Sequence, residues 1–240
     1  MIMNRDNLYQ NKNVIEDFSF DKDVSRVFDD MVSRSVPFYD LFQEFISDFI
    51  TNEINGQSNI YDLGCSTGNT VFKINQKLKN DKVNIYGIDI SEHMLKQARK
   101  KNKQSKNTIF IKDDISEINT FKDAGFIIVN LTLQFIRPLK RERVLKNIYN
   151  SLQPNGYAII WEKLLDDSDF FTRKYIEYYH LFKKDNNYTE IEISKKREEL
   201  ENVLIPFTLE ENTSLLKEVG FKKVSVALKF LNFAIILAHK

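Results

Sequence analysis

The stretch from Asn59 to Thr70 reads Asn-Ile-Tyr-Asp-Leu-Gly-Cys-Ser-Thr-Gly-Asn-Thr. A short apolar segment ends near Asp62, and a loop that contains Gly64 and Gly68 leads from it into a segment with helical spacing of apolar residues. Because glycine has no Cβ, such a loop lets a ligand approach the backbone closely. In parallel sheets the ligand usually lies at the carboxyl ends of the strands. The stretch therefore predicts a strand, a ligand-binding loop and a helix of a mostly parallel α/β sheet.

The chemistry of this loop favours a cationic ligand over a phosphate. Its pattern, Asp-x-Gly-x-x-x-Gly, differs from the Gly-x-Gly-x-x-Gly fingerprint of loops that bind a pyrophosphate. Asp62 would repel a phosphate, whereas its carboxylate would attract a sulfonium or an ammonium group. These features favour S-adenosylmethionine over a dinucleotide as the ligand.

Length and charge limit the classes of protein to consider. The 240 residues suffice for one α/β core, and we predict a single domain over residues 1–240. The 35 Lys plus Arg against 34 Asp plus Glu give a formal net charge of +1, whereas nucleic-acid binders usually show a clear basic excess. We therefore expect no direct binding of nucleic acid.

Cysteine content and apolar runs suggest where the protein resides. The single cysteine indicates a reducing compartment. Residues 1–10 lack the apolar core of a secretory signal, and no run reaches the roughly 18 apolar residues of a membrane span. We predict a cytoplasmic protein that does not associate with a membrane.

Apolar spacing and turn residues predict the order of the helices and strands. Residues 1 to about 17 are predicted to be irregular. Helices are predicted at 21–35, 38–54, 69–78, 91–101, 138–152 and 212–219, with two more between 166 and 204. Strands are predicted at 59–63, 83–88, 108–111, 125–130, 157–161, 222–229 and 231–238. The helices within 18–54 are expected to cap the mouth of the site, and residues from about 166 to 204 to form a helical insertion.

The last two predicted strands determine the fold class. Only a short turn separates 222–229 from 231–238, so the two strands must pair antiparallel. The sequence thus predicts a Rossmann-like class I methyltransferase fold. Its sheet is expected to have seven mostly parallel strands, with an antiparallel C-terminal hairpin and the helical insertion.

Acidic residues recur where the first three predicted strands end, at Asp62, Asp89 and Asp114. A carboxylate at Asp89 can accept both hydroxyl groups of a ribose, as acidic residues at this position do in nucleotide-binding sheets. Asp114 could accept a hydrogen bond from the adenine amino group while the Ile115 N–H donates to a ring nitrogen. An Asp at a strand end is also a common turn or cap residue, but together with the glycine loop these residues indicate a cofactor site.

Cysteine and histidine offer weaker candidates. Cys65 lies in the glycine loop, where it is either a nucleophile or, as we favour, a small residue that fits a crowded loop. His93, His180 and His239 are scattered and lack the spacing of metal ligands. We expect no metal site.

Three other segments have two interpretations each. Asn130 follows the fourth predicted strand, where it could orient a ligand or cap the strand end. Residues 194–202 would normally be a solvated charged helix face, and spacing alone gives Arg197 little claim to a function. An aromatic stripe with helical spacing favours core or dimer packing over a substrate box; its members are Phe171, Tyr175, Tyr178 and Phe182.

Four motifs together resemble the carboxy-S-adenosyl-L-methionine synthase family. They are Asp-x-Met-x-x-Arg-Ser-Val-Pro-x-Tyr ending at Tyr39, Tyr-Asp-Leu-Gly-Cys-Ser over 61–66, Asn-Leu-Thr-Leu-Gln-Phe over 130–135 and Lys-Arg-x-x-Leu-Glu-Asn-Val over 196–203. The resemblance covers nearly the whole chain. The first and last motifs discriminate this family better than the glycine loop does.

The resemblance implies a particular reaction. Members of the family convert S-adenosylmethionine and prephenate into carboxy-S-adenosylmethionine and phenylpyruvate, and a partner carboxymethyltransferase uses the product on the wobble uridine of tRNA. The resemblance also implies a homodimer. It implies cofactor contacts at Tyr39, Gly64, Cys65, Ser66, Asp89, Ile90, Asp114, Ile115, Asn130 and Arg197. Arg197, the one residue implied to be catalytic, would bind the added carboxylate, which a guanidinium fork suits.

Two positions depart from the pattern of this family. Phe38 stands where a glycine is common, which could alter how Tyr39 enters the site. Ile90 stands where an asparagine often follows the acidic residue, so only a backbone contact is expected there. The chain shows no evident strong base, and we expect prephenate itself to assist proton removal from the methyl group. The alternatives are an ordinary methyltransferase for a small acid or tRNA, and a non-catalytic subunit that binds the cofactor and activates a partner.

Overall fold

A computed structural model describes residues 5–10, 16–54, 56, 58–80 and 82–240. Eight helices and eight strands are formed in these ranges, together with one 3-10 turn (Leu133–Phe135). The helices are α1 (Lys22–Ser35), α2 (Tyr39–Glu53), α3 (Asn69–Lys77), α4 (Glu92–Lys101), α5 (Pro138–Ser151), α6 (Asp169–Asp185), α7 (Glu190–Leu200) and α8 (Leu209–Glu218). The strands are β1 (Asn59–Leu63), β2 (Ile85–Asp89), β3 (Thr108–Lys112), β4 (Ala124–Asn130), β5 (Leu152–Leu165), β6 (Phe207–Thr208), β7 (Lys223–Phe230) and β8 (Phe233–His239).

Seven strands form one sheet in the order β3-β2-β1-β4-β5-β8-β7. The first five in this order pair parallel. β8 pairs antiparallel with β5 and with β7, as the short link between the last two strands requires. The predicted fold class is confirmed, with one addition: β6, only two residues long, pairs with the end of β5 outside this path.

The alternation of side chains along β4 shows how both faces of the sheet are covered. Ile127 belongs to an apolar cluster that also contains Ile148 of α5. Its neighbour Ile128 points to the opposite face and belongs to a second cluster, which contains Ile46 of α2. Since successive strand residues point to opposite faces, a nearly all-apolar strand must be buried on both. The core is therefore two apolar layers, one on each side of the sheet.

The fifth strand departs from its predicted extent. It was expected over 157–161 after a turn at Pro154-Asn155-Gly156, whereas β5 begins at Leu152 and ends at Leu165. The turn occurs as an irregularity inside the strand, where the register with β4 shifts and Asn155 has φ 63°. The extension beyond Trp161 carries Glu162 and Lys163 towards the site.

The N-terminal lead-in is attached to the helical insertion. Residues 1–4 and 11–15 of the predicted lead-in lie outside the described residues. Asp6 is buried and accepts a hydrogen bond from the Tyr188 hydroxyl, and the Tyr9 hydroxyl donates to Glu199 at 2.7 Å. The described part of the lead-in is thus fastened across the segment that contains α6 and α7. In the same described ranges no helix has both the length and the apolar character needed to cross a membrane.

Candidate functional site

A cavity of about 640 Å³ opens at the carboxyl ends of the parallel strands. Residues from the α1–α2 region, the ends of β1, β2, β4 and β5, and helices α6 and α7 line it. All ten residues predicted to contact a cofactor are among them: Tyr39, Gly64, Cys65, Ser66, Asp89, Ile90, Asp114, Ile115, Asn130 and Arg197. The fold therefore brings the predicted set together, while the contacts with a ligand stay predictions.

Two glycines are required by the shape of the loop after β1. Gly64 has φ 75°, and a Cβ on it would lie 2.4 Å from Oγ1 and Cγ2 of Thr132. Gly68 has φ 74°, a conformation that favours glycine, and it lies against Ala98 of α4. Ser66 also has a positive φ of 48°, and its N–H donates to Asp89 Oδ2 at 2.9 Å. The loop is thus held in one conformation before any ligand binds.

Asp29 of α1 anchors the same loop from the other side. Its carboxylate accepts hydrogen bonds from Thr67 Oγ1 at 2.5 Å, from Asn69 Nδ2 at 3.0 Å and from Lys101 Nζ at 2.7 Å. The sequence analysis assigned Asp29 no role. Its signal was present at the start of the Ser-Val-Pro-x-Tyr motif, but its partners are about 40 to 70 residues away in the chain.

Asp62 is the most unusual group of the site. Its side chain lines the cavity, the residue is 1% exposed, and neither carboxylate oxygen has a hydrogen-bond partner among the described residues. Burial, followed by the negative charge of Asp89, raises the pKa of Asp62 to about 7. A buried unpaired carboxylate is costly. The sulfonium or ammonium group of S-adenosylmethionine would supply the missing positive charge, so this residue fits the ligand expected from the sequence.

The carboxylate of Asp89 holds two turns and keeps capacity for a ligand. It accepts the Ser66 N–H at 2.9 Å and the Ser91 N–H at 2.8 Å. Burial raises its pKa. An ionised carboxylate has about four acceptor sites, so hydroxyl groups of a ribose can still bind. The interpretation as a turn residue and the interpretation as a ribose ligand are therefore compatible.

The loop after β3 provides a setting for an adenine. Asp114 is half-buried and accepts the Ser116 N–H at 2.8 Å, and Ile115 is buried. Ile90 is 61% exposed, in keeping with a contact through the backbone alone. We call the four cavity-lining carboxylates of this side the acidic wall: Asp62, Asp89, Asp113 and Asp114.

Cys65 has the surroundings of a packing residue. It is buried, and a Cβ on Gly87 of β2 would lie 3.0 Å from its sulfur. Burial, together with the charges of Asp62 and Asp89, raises the pKa of the thiol well above its usual value. A nucleophilic cysteine needs a thiolate, which these surroundings disfavour. The structure favours the interpretation of a small residue in a crowded loop.

The segment after β4 is held by a residue that the sequence analysis missed. Glu162 is buried at the end of β5, and its carboxylate accepts the backbone N–H groups of Thr132 at 3.1 Å, Leu133 at 2.8 Å and Gln134 at 2.9 Å. Burial raises its pKa to about 8, against the opposite effect of these donors. The carboxylate therefore fixes the 3-10 turn that follows Asn130.

The side chain of Asn130 uses only one of its two polar atoms within the described protein. Its Nδ2 donates to Thr70 Oγ1 at 3.0 Å, whereas its Oδ1 is buried without a partner within the described part of the chain. A strand-end cap would use this oxygen, so the ligand-orienting interpretation is the better supported one.

Tyr39 connects the two sides of the cavity. Its hydroxyl accepts from Asn69 Nδ2 at 3.2 Å, and its ring lies 5.5 Å from that of Trp161. Phe38, which stands where the family commonly has glycine, adopts the left-handed conformation at φ 55° and ψ 29°. Its ring packs edge-on against Phe230 at 4.7 Å. The departure is thus accommodated with Tyr39 in the cavity wall.

Helices α6 and α7 form the opposite side of the cavity. Arg197 is exposed and lines the cavity on this side, together with three of the four lysines in the cavity lining. We call these four cations the basic wall: Lys163, Lys183, Lys196 and Arg197. Of the predicted aromatic stripe, only Tyr175 lines the cavity, while Phe171 and Tyr178 are exposed.

The face of α6 towards the cavity is one residue out of phase with that stripe. It comprises Thr172, Tyr175, Ile176, Tyr179, His180 and Lys183. In α7, Lys196 and Glu199 are buried, so the charged run is not the solvated face that its composition suggests. Throughout the described ranges, no group of three or more His, Cys, Asp or Glu residues could hold a metal ion.

Comparison with known proteins first defines the class. A family profile described as "Methyltransferase domain" matches residues 60–156. The solved structure of an O-methyltransferase family protein from Burkholderia thailandensis aligns with a TM-score of 0.64 at 11% identity, over 97% of this chain and 66% of that chain. The fold is the Rossmann-like fold of class I S-adenosylmethionine-dependent methyltransferases.

Comparison of full sequences then defines the family. Proteins of Helicobacter pylori (strain G27) and Desulfotalea psychrophila, both named carboxy-S-adenosyl-L-methionine synthase, are 42% and 41% identical to this chain. Both alignments cover 98% of this chain, with 99% and 97% of the respective relatives. The chain belongs to the carboxy-S-adenosyl-L-methionine synthase family, which confirms the resemblance inferred from the four motifs.

Proposed function

We propose that this protein makes carboxy-S-adenosylmethionine from S-adenosylmethionine and prephenate, with release of phenylpyruvate. The observation that supports it most is the presence of the unpaired Asp62 and the Arg197 guanidinium in the wall of one cavity. On its transferred carbon an ordinary methyl donor has no charge that would need Arg197. The carboxylated product carries a carboxylate there, next to the sulfonium, and would use both residues. The names of the relatives support the same reaction.

In this proposal the acidic wall binds the adenosyl and sulfonium parts of the substrate. Asp89 accepts the ribose hydroxyls, Asp114 and the Ile115 N–H contact the adenine, and Asp62 faces the positive charge. The unpaired Oδ1 of Asn130 is available to an ammonium group of the methionyl part. Arg197 holds the new carboxylate with its fork of donors.

The proposed chemistry balances without an added oxidant or metal. The positive sulfur acidifies its methyl group, and loss of one proton leaves a carbon nucleophile next to sulfur. Prephenate loses its ring carboxyl group as carbon dioxide and its hydroxyl group as hydroxide, and the ring becomes aromatic in phenylpyruvate. The hydroxide takes the methyl proton to form water, while the carbon nucleophile forms a C–C bond to the carbon dioxide.

Three potential bases in or near the cavity are poorly suited to accept the methyl proton, which supports its transfer to the substrate. Burial raises the pKa of the Cys65 thiol and that of the Tyr39 hydroxyl, which makes neither anion accessible. Glu162 is occupied by three backbone donors. The protein therefore contributes positioning, exclusion of water and charge stabilisation.

Isotope tracing tests the reaction. The purified chain is incubated with S-adenosylmethionine and with prephenate labelled by carbon-13 in the ring carboxyl group, and the small molecules are analysed by mass spectrometry. The proposal expects a product heavier than S-adenosylmethionine by one labelled carbon dioxide. A methylated acceptor without this product would support an ordinary methyltransferase. Product that forms only after addition of a partner enzyme would support the non-catalytic subunit.

The predicted partners belong to the same proposal. We infer that the product is passed to a tRNA carboxymethyltransferase acting on wobble uridine, and that both enzymes work in the cytoplasm. A net charge of +1 suits an enzyme that handles small molecules and leaves tRNA binding to its partner. The homodimer would cover exposed apolar side chains of α6 and α7: Phe170, Phe171, Tyr178, Leu181 and Ile191. Light scattering after size-exclusion chromatography measures the expected mass of two chains.

A further inference from the structure

The basic wall contains more positive charge than the added carboxylate of the proposed product needs. Arg197 suffices for that carboxylate, yet Lys163 from β5, Lys183 from α6 and Lys196 from α7 line the same cavity. Lys183 is 7% exposed and Lys196 is 9% exposed. Burial of an ammonium group is costly unless it is paired. Three elements therefore carry lysines to one cavity, where burial of their ammonium groups is costly to the fold.

Two of the three lysines have no counter-charge in the described part of the chain. Lys183 and Lys163 lie on the same aromatic ring, with Nζ 4.2 Å and 5.1 Å from the centroid of Tyr179. Among the described residues, neither ammonium pairs with a carboxylate. Burial, together with the charges of Lys196 and Lys163, holds the pKa of Lys183 well below its usual value.

Lys196 differs from these two because it is partly compensated. Its Nζ lies 3.5 Å from Ser35 Oγ, and the carboxylates of Asp6 and Glu199 act on it favourably. It therefore has a place in the fold and adds to the field that Lys183 experiences. Lys163 and Lys183 lack such compensation, so they are the two lysines that a bound anion would stabilise.

A neighbouring residue independently indicates a missing ligand. Asn232, in the turn between β7 and β8, lines the cavity and is only 4% exposed, yet neither its amide nitrogen nor its oxygen has a partner in the described part of the chain. The Nε1 of Trp161, also in the cavity wall, likewise has no partner among the residues that the structure describes. Buried polar groups in folded proteins are nearly always hydrogen-bonded. Asn232 is close to Lys163 along the chain pairing, since Phe233, the next residue, is in register with that lysine and the Leu164 N–H donates to the Asn232 carbonyl at 2.7 Å.

We propose that Lys163 and Lys183, with Asn232, form a second anion subsite that binds the carboxylates of the co-substrate. This inference rests on the proposed function and deepens it: Arg197 holds the carboxyl group after transfer, and the lysines hold the donor before transfer. The ligand class is a small dicarboxylate with an unsaturated ring, because the rings of Tyr175, Tyr179 and Phe233 line the cavity around the two ammonium groups.

The charge balance of the cavity supports this assignment. The acidic wall comes from the ends of β1, β2 and β3, and the lysines come from β5 and the helices after it, on the other side of β4 in the sheet. A cationic first substrate and a dianionic second substrate would each meet opposite charge. Attraction between the two substrates would then bring the methyl carbon and the leaving carboxyl group together.

Binding of prephenate to protein saturated with S-adenosylhomocysteine tests the subsite, because this product analogue lacks the methyl group that reacts. Calorimetry is performed on the wild type, Lys183→Met and Lys163→Met. Lys184→Met is the matched control, since this neighbouring lysine is exposed and pairs with Glu190 at the surface. We expect prephenate to bind at least about tenfold more weakly to the first two variants and within about twofold of wild type in the control.

The measurement separates failure of the subsite from failure of the proposed function. Wild-type affinity for prephenate in Lys183→Met and Lys163→Met overturns the subsite, whatever the turnover assay shows. A second outcome is that the wild type binds prephenate, the two lysine variants bind it more weakly, and no carboxylated product forms. This outcome supports the subsite and overturns the proposed reaction. Absence of prephenate binding by the wild type overturns the subsite.

Retained binding of S-adenosylhomocysteine by each variant shows that the fold is intact. Removal of a buried unpaired ammonium should also raise the melting temperature of Lys183→Met, which a purely structural lysine would not do. Lys183→Gln, which keeps a polar group at the same place, serves if the methionine variant does not fold. A variant that folds, binds S-adenosylhomocysteine normally and melts below wild type, with unchanged prephenate affinity, assigns Lys183 to the fold and overturns the subsite.

Discussion

The acidic wall and the basic wall of the cavity both contain a buried unpaired charge, but different parts of the fold support them. Asp62 and Lys183 are both buried, both without an oppositely charged partner among the described residues, and both shifted in pKa towards their neutral forms. The acidic wall stands on strand ends and on a glycine loop held by Asp29, whereas the basic wall stands mainly on α6 and α7. The first is a common cofactor platform, and the second is the part that we assign to the proposed reaction.

Buried charges without a partner give one protein a means to bind two ligands of opposite charge. Each unpaired group destabilises the free protein, and in our proposal the bound ligand supplies the missing opposite charge. Affinity and specificity therefore come from the same buried charges. Substitutions that alter one wall at a time test this difference.

Replacement of Asp62 should produce the largest change. Asp62→Asn removes the charge that faces the sulfonium, and we expect binding of S-adenosylmethionine to weaken by about 2–4 kcal/mol, the scale of truncating one partner of a buried charge pair. The free protein should become more stable, because the carboxyl group, with its pKa raised to about 7, opposes folding progressively as the pH rises through 4 to 7. Calorimetry and thermal melting at pH 8 measure the two effects.

Whether Asp62→Asn raises or lowers the stability of the free protein is the critical result. Weaker binding together with higher stability means that the charge serves the ligand. Loss of both binding and stability would show that Asp62 supports the loop, and the comparison between the walls would fail. Asp114→Asn is the matched control, since Asp114 is only half-buried and already accepts a backbone N–H, so its effect on stability should stay within about 0.5 kcal/mol.

Arg197 should discriminate between the two forms of the cofactor. Arg197→Ala should weaken the carboxylated form by about 1–2 kcal/mol, the lower part of the range for a hydrogen bond to a charged group, because the side chain is exposed. S-adenosylmethionine itself, with no carboxylate on the transferred carbon, should bind within about twofold of wild type. Competition calorimetry with both ligands measures the ratio, and equal losses would remove Arg197 from the role assigned to it. Arg197→Lys should recover part of the discrimination, since lysine keeps the charge but not the fork.

The acidic wall was accessible to sequence reasoning, whereas most of the basic wall was not. The glycine loop, Asp62 and Asp89 lie at strand ends, and strand ends can be located from short apolar runs and turn residues. Their local sequence determines their position in the fold, because parallel strands end at one edge of the sheet. The same logic located the antiparallel hairpin at the C-terminus.

The basic wall depends on how helices pack, which periodicity did not reveal. Lys183 and Lys196 lie in helices rich in charge, where most lysines are solvated, and nothing local distinguishes them from Lys184 or Lys195. Only the family motif around residues 196–203 singled out Arg197. The role of Glu162 could not be predicted for a related reason. Its three donors lie about 30 residues away along the chain, and they come near it only when β4 and β5 pair.

The two walls should also respond to pH in opposite directions. Ionisation of Asp62, with its pKa of about 7, should tighten S-adenosylmethionine binding about fivefold from pH 6 to 8; the groups facing it are Asp89, Cys65 and Tyr39. Deprotonation of Lys163, whose pKa burial lowers to about 8, should weaken prephenate binding about fivefold from pH 7 to 9. The groups facing Lys163 are Lys183, Tyr179 and His180.

Calorimetry over pH 6–9 checks both slopes. The pH dependence of S-adenosylmethionine binding should flatten in Asp62→Asn. Any slope that remains in this variant comes from titration of the ligand's own amino group and can be subtracted. The pH dependence of prephenate binding should flatten in Lys163→Met. Slopes of the same sign in wild type, or slopes that survive these substitutions, would contradict the assignment of opposite charges to the two walls.

Phe38 offers the smallest test, because it precedes Tyr39, whose ring lies next to that of Trp161 in the cavity wall. Its left-handed conformation disfavours any residue with a Cβ by roughly 1 kcal/mol, while its ring packs on Phe230. Phe38→Ala loses the ring and keeps the strain, whereas Phe38→Gly loses the ring and relieves the strain. The glycine variant should therefore be the more stable of the two by about 1 kcal/mol, although glycine normally increases the entropy of the unfolded chain. Urea denaturation measures this difference; an alanine variant as stable as the glycine variant would mean that the backbone there relaxes, and that Tyr39 is positioned by Asn69 and Trp161 alone.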